Sequence, residues 1–122
     1  MVKLFKKADQ TFTPNNGGAV LGLVNTAFSD NLGAGIGTFE DCANEWTVSY
    51  DEVLFILDGV LTIRVGDEAY SAGPGDVLWI PKDTALVYEA GAKTTFFYAV
   101  CPAGKSPSTS KQIAYPTAAP NS

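Results

Sequence analysis

The sequence predicts an all-β protein folded as a single sandwich or barrel. Three observations carry that prediction. Short apolar or alternating runs recur at intervals of about eight to twelve residues. Turn-forming clusters separate them, at Asp58-Gly59, Gly66-Asp67, Gly73-Pro74-Gly75-Asp76 and Pro81-Lys82-Asp83. No segment repeats its apolar residues at helical spacing. With 122 residues and a hydrophobic fraction of 46%, the chain suits one domain with its own core.

Taken in order, residues 19–24 and 35–39 read as short strands in a Gly-rich first third, with residues 25–32 as a loop between them. Residues 53–57 are a continuous apolar run. Asp58-Gly59 follows, then residues 60–65, where Leu61, Ile63 and Val65 alternate with Thr62 and Arg64. Two β-rich runs joined by Asp-Gly predict a hairpin, because both turn residues tolerate positive φ. Further strands are predicted over residues 69–72, 77–80, 85–89 and 94–100. Trp46, Trp79, Phe96 and Phe97 are assigned first to the core, as bulky aromatics usually are. The folded domain is placed at residues 1–103. Residues 104–122, rich in Pro, Ser, Thr and Ala, form a tail that cannot build a core and is expected to be mobile or to lie along a surface.

The formal charge is −5, and it is unevenly spread. No Lys or Arg occurs between Lys7 and Arg64, whereas that stretch holds eight acidic residues. Such a surface repels phosphates, so neither nucleic acid nor an anionic membrane is expected as a partner. The N-terminal MVKLFKKADQ lacks the apolar core of a signal peptide, and no apolar run reaches the ~20 residues of a membrane helix. The expected location is the cytoplasm. Cys42 and Cys101 form no zinc-binding pattern and are expected to be free thiols.

Two spacings then become recognisable. Glu52 and Gly59 are separated by six residues, and Gly75 and Pro81 by five, within GPGDVLWIP. These resemble the two motifs of cupins, which implies the RmlC-like jelly-roll β-barrel. The longer run EWTVSYDEVLFILDGVLTIRVGDEAYSAGPGDVLWIPKDTALVYE, with FFYAVCPA after it, is similar to the cupin domain of the EutQ ethanolamine-utilisation family over roughly residues 34–103. That resemblance implies three things. Acetate kinase activity is associated with the family. A bacterial microcompartment becomes a second possible location. Small cupins commonly pair, so a homodimer is expected.

A typical cupin holds a divalent metal with a His-x-His pair before its glutamate and a later histidine. This chain has no histidine. By spacing, either Glu45 and Thr47 or Trp46 and Val48 stand in place of the pair, and Leu86 replaces the late histidine. Such a set is poor for iron, nickel, copper or zinc, so no metal site is expected. Mg²⁺ or another hard cation would need more oxygen donors than these.

The expected chemistry is therefore acid–base. Glu45 and Glu52 in one apolar cavity would push each other's pKa apart, leaving one as acid and one as base. Tyr50 is assigned beside them as a catalytic hydroxyl. Trp46, Thr47, Tyr88, Tyr98 and Leu86 are assigned to the wall that binds a small organic molecule. The reaction classes that fit are isomerisation, dehydration or lysis next to a carbonyl. The alternatives are a non-catalytic ligand-binding or microcompartment accessory module, and the acetate kinase. Phosphoryl transfer would need cationic stabilisation, and only Arg64, Lys82 and Lys93 lie near the barrel; no GxxxxGK[ST] loop is present.

Overall fold

The computed structural model describes residues 2–12, 18–25, 27 and 29–102. The predicted tail, residues 104–122, lies outside them. A short 3₁₀ turn at Lys7–Asp9 precedes nine strands: β1 Gly18–Val24, β2 Gly33–Phe39, β3 Cys42–Thr47, β4 Asp51–Asp58, β5 Leu61–Val65, β6 Glu68–Ala72, β7 Val77–Ile80, β8 Ala85–Ala90 and β9 Thr94–Cys101. The predicted strands are all present within a few residues. β3 was not predicted, and it matters for the site.

Every strand pairing is antiparallel. One sheet has five strands in the order β1-β2-β9-β4-β7, and the other has four in the order β3-β8-β5-β6. The two sheets pack face to face as the jelly roll of cupins. They are not hydrogen-bonded into a closed ring, so the expected barrel is an open sandwich with edge strands β1 and β7 in one sheet and β3 and β6 in the other.

The hairpin expected at Asp58-Gly59 does not form. β4 and β5 belong to different sheets, and the chain crosses from one to the other at this point. Gly59 has φ +80°, and a Cβ there would lie 2.4 Å from the Lys93 carbonyl oxygen. Positive φ was correctly foreseen at Gly59, but in the service of a crossover rather than a two-residue turn. Thr94 fastens the crossing: its hydroxyl donates to the Val60 carbonyl at 2.9 Å and receives the Val60 N–H at 3.2 Å. The true β5–β6 hairpin lies at Gly66-Asp67, where Gly66 has φ +60°.

Alternation along the strands assigns the core. Glu52, Leu54 and Ile56 of β4 point inward, as do Thr94, Phe96, Tyr98 and Val100 of β9 and Leu86, Tyr88 and Ala90 of β8; all are buried. Phe39 meets Phe96 and Tyr88 edge-on, at centroid distances of 5.1 and 6.2 Å. On β2 the inward positions facing Tyr98 and Phe96 are Gly35 and Gly37. A Cβ at Gly37 would fall 2.3 Å from the Phe96 ring, so the missing side chain makes room for the aromatic. Two aromatics leave the core expected of them: Trp79 and Phe97 lie on the outer face of the five-stranded sheet, and Trp79 is 61% exposed.

Candidate functional site

β3 fixes which residues face the interior. Its register against β8 sets Cys42 opposite Ala90, Asn44 opposite Tyr88 and Trp46 opposite Leu86. Ala90, Tyr88 and Leu86 all face inward, so Cys42, Asn44 and Trp46 do too, and Val48 beyond them is fully buried. Of the two readings of the vacated histidine pair, the structure selects Trp46 and Val48. Glu45 and Thr47 point to the outer face of the four-stranded sheet, and Glu45 is exposed. The pair of glutamates does not assemble, because Glu45 and Glu52 stand on opposite sides of a sheet.

Glu52 is at the centre of what remains. It is fully buried, and the Tyr88 hydroxyl donates to its Oε1 at 2.7 Å from the opposite sheet. Its Oε2 is buried and has no hydrogen-bond partner among the described residues. Burial raises its pKa from the usual carboxylate range to about 7, against the smaller lowering effect of the Tyr88 hydrogen bond. Tyr98, raised to about 12, and Tyr88, raised well above the ordinary phenol, are shifted first by burial and then by the Glu52 charge. Tyr50 is 4% exposed and acts electrostatically on Tyr88, so it belongs to the same cluster. The Trp46 indole Nε1 is a second buried polar atom without a hydrogen-bond partner among the described residues. The structure therefore brings together Glu52, Tyr50, Tyr88 and Tyr98, while Trp46 faces the same interior opposite Leu86. Asn44, 1% exposed and inward-facing, joins them by position. It was missed because β3 was missed, although Cys42, Asn44, Trp46 and Val48 alternate with Ala43, Glu45 and Thr47 in the period of a strand.

A cleft of about 410 Å³ opens between the sheets on the β7 side. Ile63, Val65, Tyr70, Val77, Leu78, Trp79, Ile80, Pro81, Thr84 and Leu86 line it, and none of these is charged. Of the predicted wall residues only Leu86 lines this cleft. Glu52 does not reach it. Ile80 is the ladder neighbour of Glu52 and Ile63 that of Tyr88, while Leu86 precedes Tyr88 on the same face of β8. These three side chains, each under 5% exposed, form the partition between cleft and cluster.

The metal site of a typical cupin does not fit here. Its positions hold Trp46, Val48 and Leu86, which offer no ligand, and Glu52 alone offers oxygen. Among the described residues, no three His, Cys, Asp or Glu side chains converge where an ion could be held.

The family model for "Ethanolamine utilisation protein EutQ" matches residues 1–106. The chain belongs to the EutQ family. An acetate kinase EutQ of Clostridioides difficile is 31% identical over 75 residues, covering 62% of this chain and 48% of that protein. The chain thus spans about half the length of this EutQ relative. The crystal structure of an ethanolamine utilization protein Q from Salmonella typhimurium superposes with a TM-score of 0.77 at 26% identity, over 83% of this chain and 86% of that one. An RmlC-like cupin from Shewanella frigidimarina shares the fold, with a TM-score of 0.69 at 15% identity over 85% and 95% of the two chains. Among the described residues of this EutQ-family chain, no helix is long and apolar enough to cross a membrane.

Proposed function

We propose that this EutQ-family cupin binds a small, uncharged carbonyl compound between its sheets and moves a proton on it through Glu52. The observation that carries the reading is the carboxyl itself: fully buried, raised to about 7, anchored at Oε1 by Tyr88 and without a hydrogen-bond partner at Oε2 among the described residues. A carboxyl poised at about 7 serves equally as base and acid at physiological pH. In the reaction, Oε2 takes the proton from the carbon beside the carbonyl. The C–H electron pair forms the new C=C bond and the carbonyl oxygen takes the charge. Glu52 then gives a proton back to that carbon as the oxyanion's electron pair re-forms the C=O bond and the C=C bond breaks, and where the Glu52 proton has exchanged with solvent in between, the carbon carries solvent hydrogen. The unpartnered Trp46 N–H is the donor nearest in kind to what the developing oxyanion requires. The partition of Ile63, Ile80 and Leu86 must part for substrate to pass.

The test is incorporation of solvent deuterium into a panel of small uncharged ketones and aldehydes, read by mass spectrometry. Catalysed exchange should rise with pH to a plateau with its midpoint near 7 and fall about a hundredfold or more in Glu52→Gln. Exchange that persists in Glu52→Gln overturns the reading.

A second reading is favoured by the partition itself: a sealed carboxyl with an open apolar cleft beside it suits a ligand-holding module without turnover, as an accessory of ethanolamine breakdown or of a microcompartment. Ligand binding in the cleft with no exchange on any compound would select it. The acetate kinase activity named for the longer relative finds less support, because none of the side chains lining the cleft carries the positive charge that phosphoryl transfer needs.

A further inference from the structure

The cleft between the edge strands β6 and β7 is apolar on its walls and acidic at its open edge. The β5–β6 register sets Tyr70 opposite Ile63 and Glu68 opposite Val65. Residues opposite each other in a ladder share a face, and Ile63 and Val65 both line the cleft. Glu68 and Tyr70 therefore stand on the cleft side of β6. The Tyr70 ring lines the cleft, and its hydroxyl donates to Glu68 Oε1 at 2.5 Å, which fixes the carboxylate at the end of that ring. Among the described residues no Lys or Arg pairs with Glu68, so its charge is uncompensated.

The two side-chain hydroxyls of the lining have their hydrogens committed. That of Tyr70 lies on Glu68, and Thr84 Oγ1 donates to the Pro81 carbonyl at 2.7 Å. The bond to Glu68 also raises the Tyr70 pKa above that of an ordinary phenol, so the hydrogen stays in place. Toward a ligand both oxygens can then only accept. The neighbouring cations are turned elsewhere. Arg64 pairs with Glu89 on the outer face of its sheet, and Lys82, whose N–H is held by Asp51, does not line the cleft. A carboxylate ligand would meet acceptors and a like charge here. An alcohol could donate to an acceptor but would leave the Glu68 charge unanswered. A protonated amine answers both.

We propose that the cleft binds a small organic ammonium ion, its alkyl or aromatic body against Ile63, Val65 and Leu86 and its N–H groups on the Glu68 carboxylate and the Tyr70 oxygen. The volume of about 410 Å³ falls within the ~300–1,000 Å³ of small-molecule sites. Held this way, the ligand stays outside the partition of Ile63, Ile80 and Leu86 and does not reach Glu52. The inference rests on the cleft being a ligand site and is independent of proton transfer at Glu52.

Titration of the 122-residue chain with hexylamine hydrochloride, hexan-1-ol and sodium hexanoate, followed by NMR at pH 7, tests it. An alkylamine is a cation at that pH, as lysine is. Hexylammonium should shift the signals of Ile63, Val65, Tyr70 and Leu86 and bind about tenfold or more tighter than hexan-1-ol, with hexanoate weakest. Glu68→Gln, at an exposed position, should weaken hexylammonium about tenfold and leave hexan-1-ol unchanged. The comparison of the three compounds on the wild type needs no variant. Hexan-1-ol binding in the cleft as tightly as hexylammonium overturns the proposal while keeping the cleft as a ligand site. So does hexylammonium binding that Glu68→Gln does not weaken. Shifts from none of the three compounds at the cleft residues, or shifts only at Phe55 and Phe97 on the outer face, overturn both the proposal and the cleft as a ligand site.

Discussion

The Tyr88 hydroxyl meets Glu52 Oε1 at 2.7 Å across the interior, joining the four-stranded sheet to the five-stranded one through a buried hydrogen bond. The carboxyl depends on that bond for its one described partner, and several consequences are measurable.

Glu52 should make stability fall as pH rises. Its pKa is raised on folding, so the folded state holds this proton more tightly than the unfolded chain. The favourable contribution is complete below the unfolded value of 4.5 and is lost as pH rises through about 7. The difference across that window is about 3 kcal/mol. Glu52→Gln should remove it, so urea denaturation of wild type and variant at pH 5 and pH 8 should diverge by that amount.

Tyr88→Phe keeps the ring and removes the donor. The carboxyl then loses the group that lowers its pKa, and the pKa should climb above about 7, visible as a shifted carboxyl titration by ¹³C NMR. Stability at pH 8 should drop by about 1–3 kcal/mol, because an ionised buried carboxylate is left with neither oxygen bonded.

Leu86→Ala should breach the partition. Loss of the side chain costs about 2–5 kcal/mol and joins the cleft to the interior cluster. Solvent reaching Glu52 relieves its desolvation, so its pKa should move down toward the ordinary carboxylate range. A titration unchanged from wild type would mean that Leu86 is not the barrier.

Two glycines of positive φ separate strain from crowding. Gly66→Ala meets nothing within 4 Å and should cost about 1 kcal/mol for backbone conformation alone. Gly59→Ala adds a 2.4 Å approach to the Lys93 carbonyl and should cost several times more, read as the fall in melting temperature.

Much of this fold was legible because turns announce themselves chemically. Gly66, Gly75 and Pro81 punctuate strands whose alternation is plain. β3 was not legible in the same way, since its inward residues include the polar Asn44 and its outward ones the small Ala43, which blurs the apolar period. That single strand decided the site. A shift of one residue exchanges Glu45 and Thr47 for Trp46 and Val48, so the residues facing Glu52 could not be named until the β3–β8 register was known. Glu52 itself was legible from its six-residue spacing to Gly59 and its place at the head of an apolar run. Its sealing by Ile63, Ile80 and Leu86 was not, because those contacts cross between sheets. The β4–β5 hairpin failed for a related reason: local turn chemistry cannot tell a chain that returns along its own sheet from one that changes sheet.

β9 is the last described strand, yet it occupies the middle of the five-stranded sheet, between β2 and β4. During synthesis the strands on either side of it are made long before it, and they have no partner to join them until residues 94–101 leave the ribosome. The larger sheet therefore closes late, through pairings distant in sequence, which slows folding relative to a fold built of local contacts. A stop codon between Ile80 and Thr94 would remove the centre of the sheet rather than trim its edge, leaving two separate apolar ribbons, β1-β2 and β4-β7, that invite aggregation.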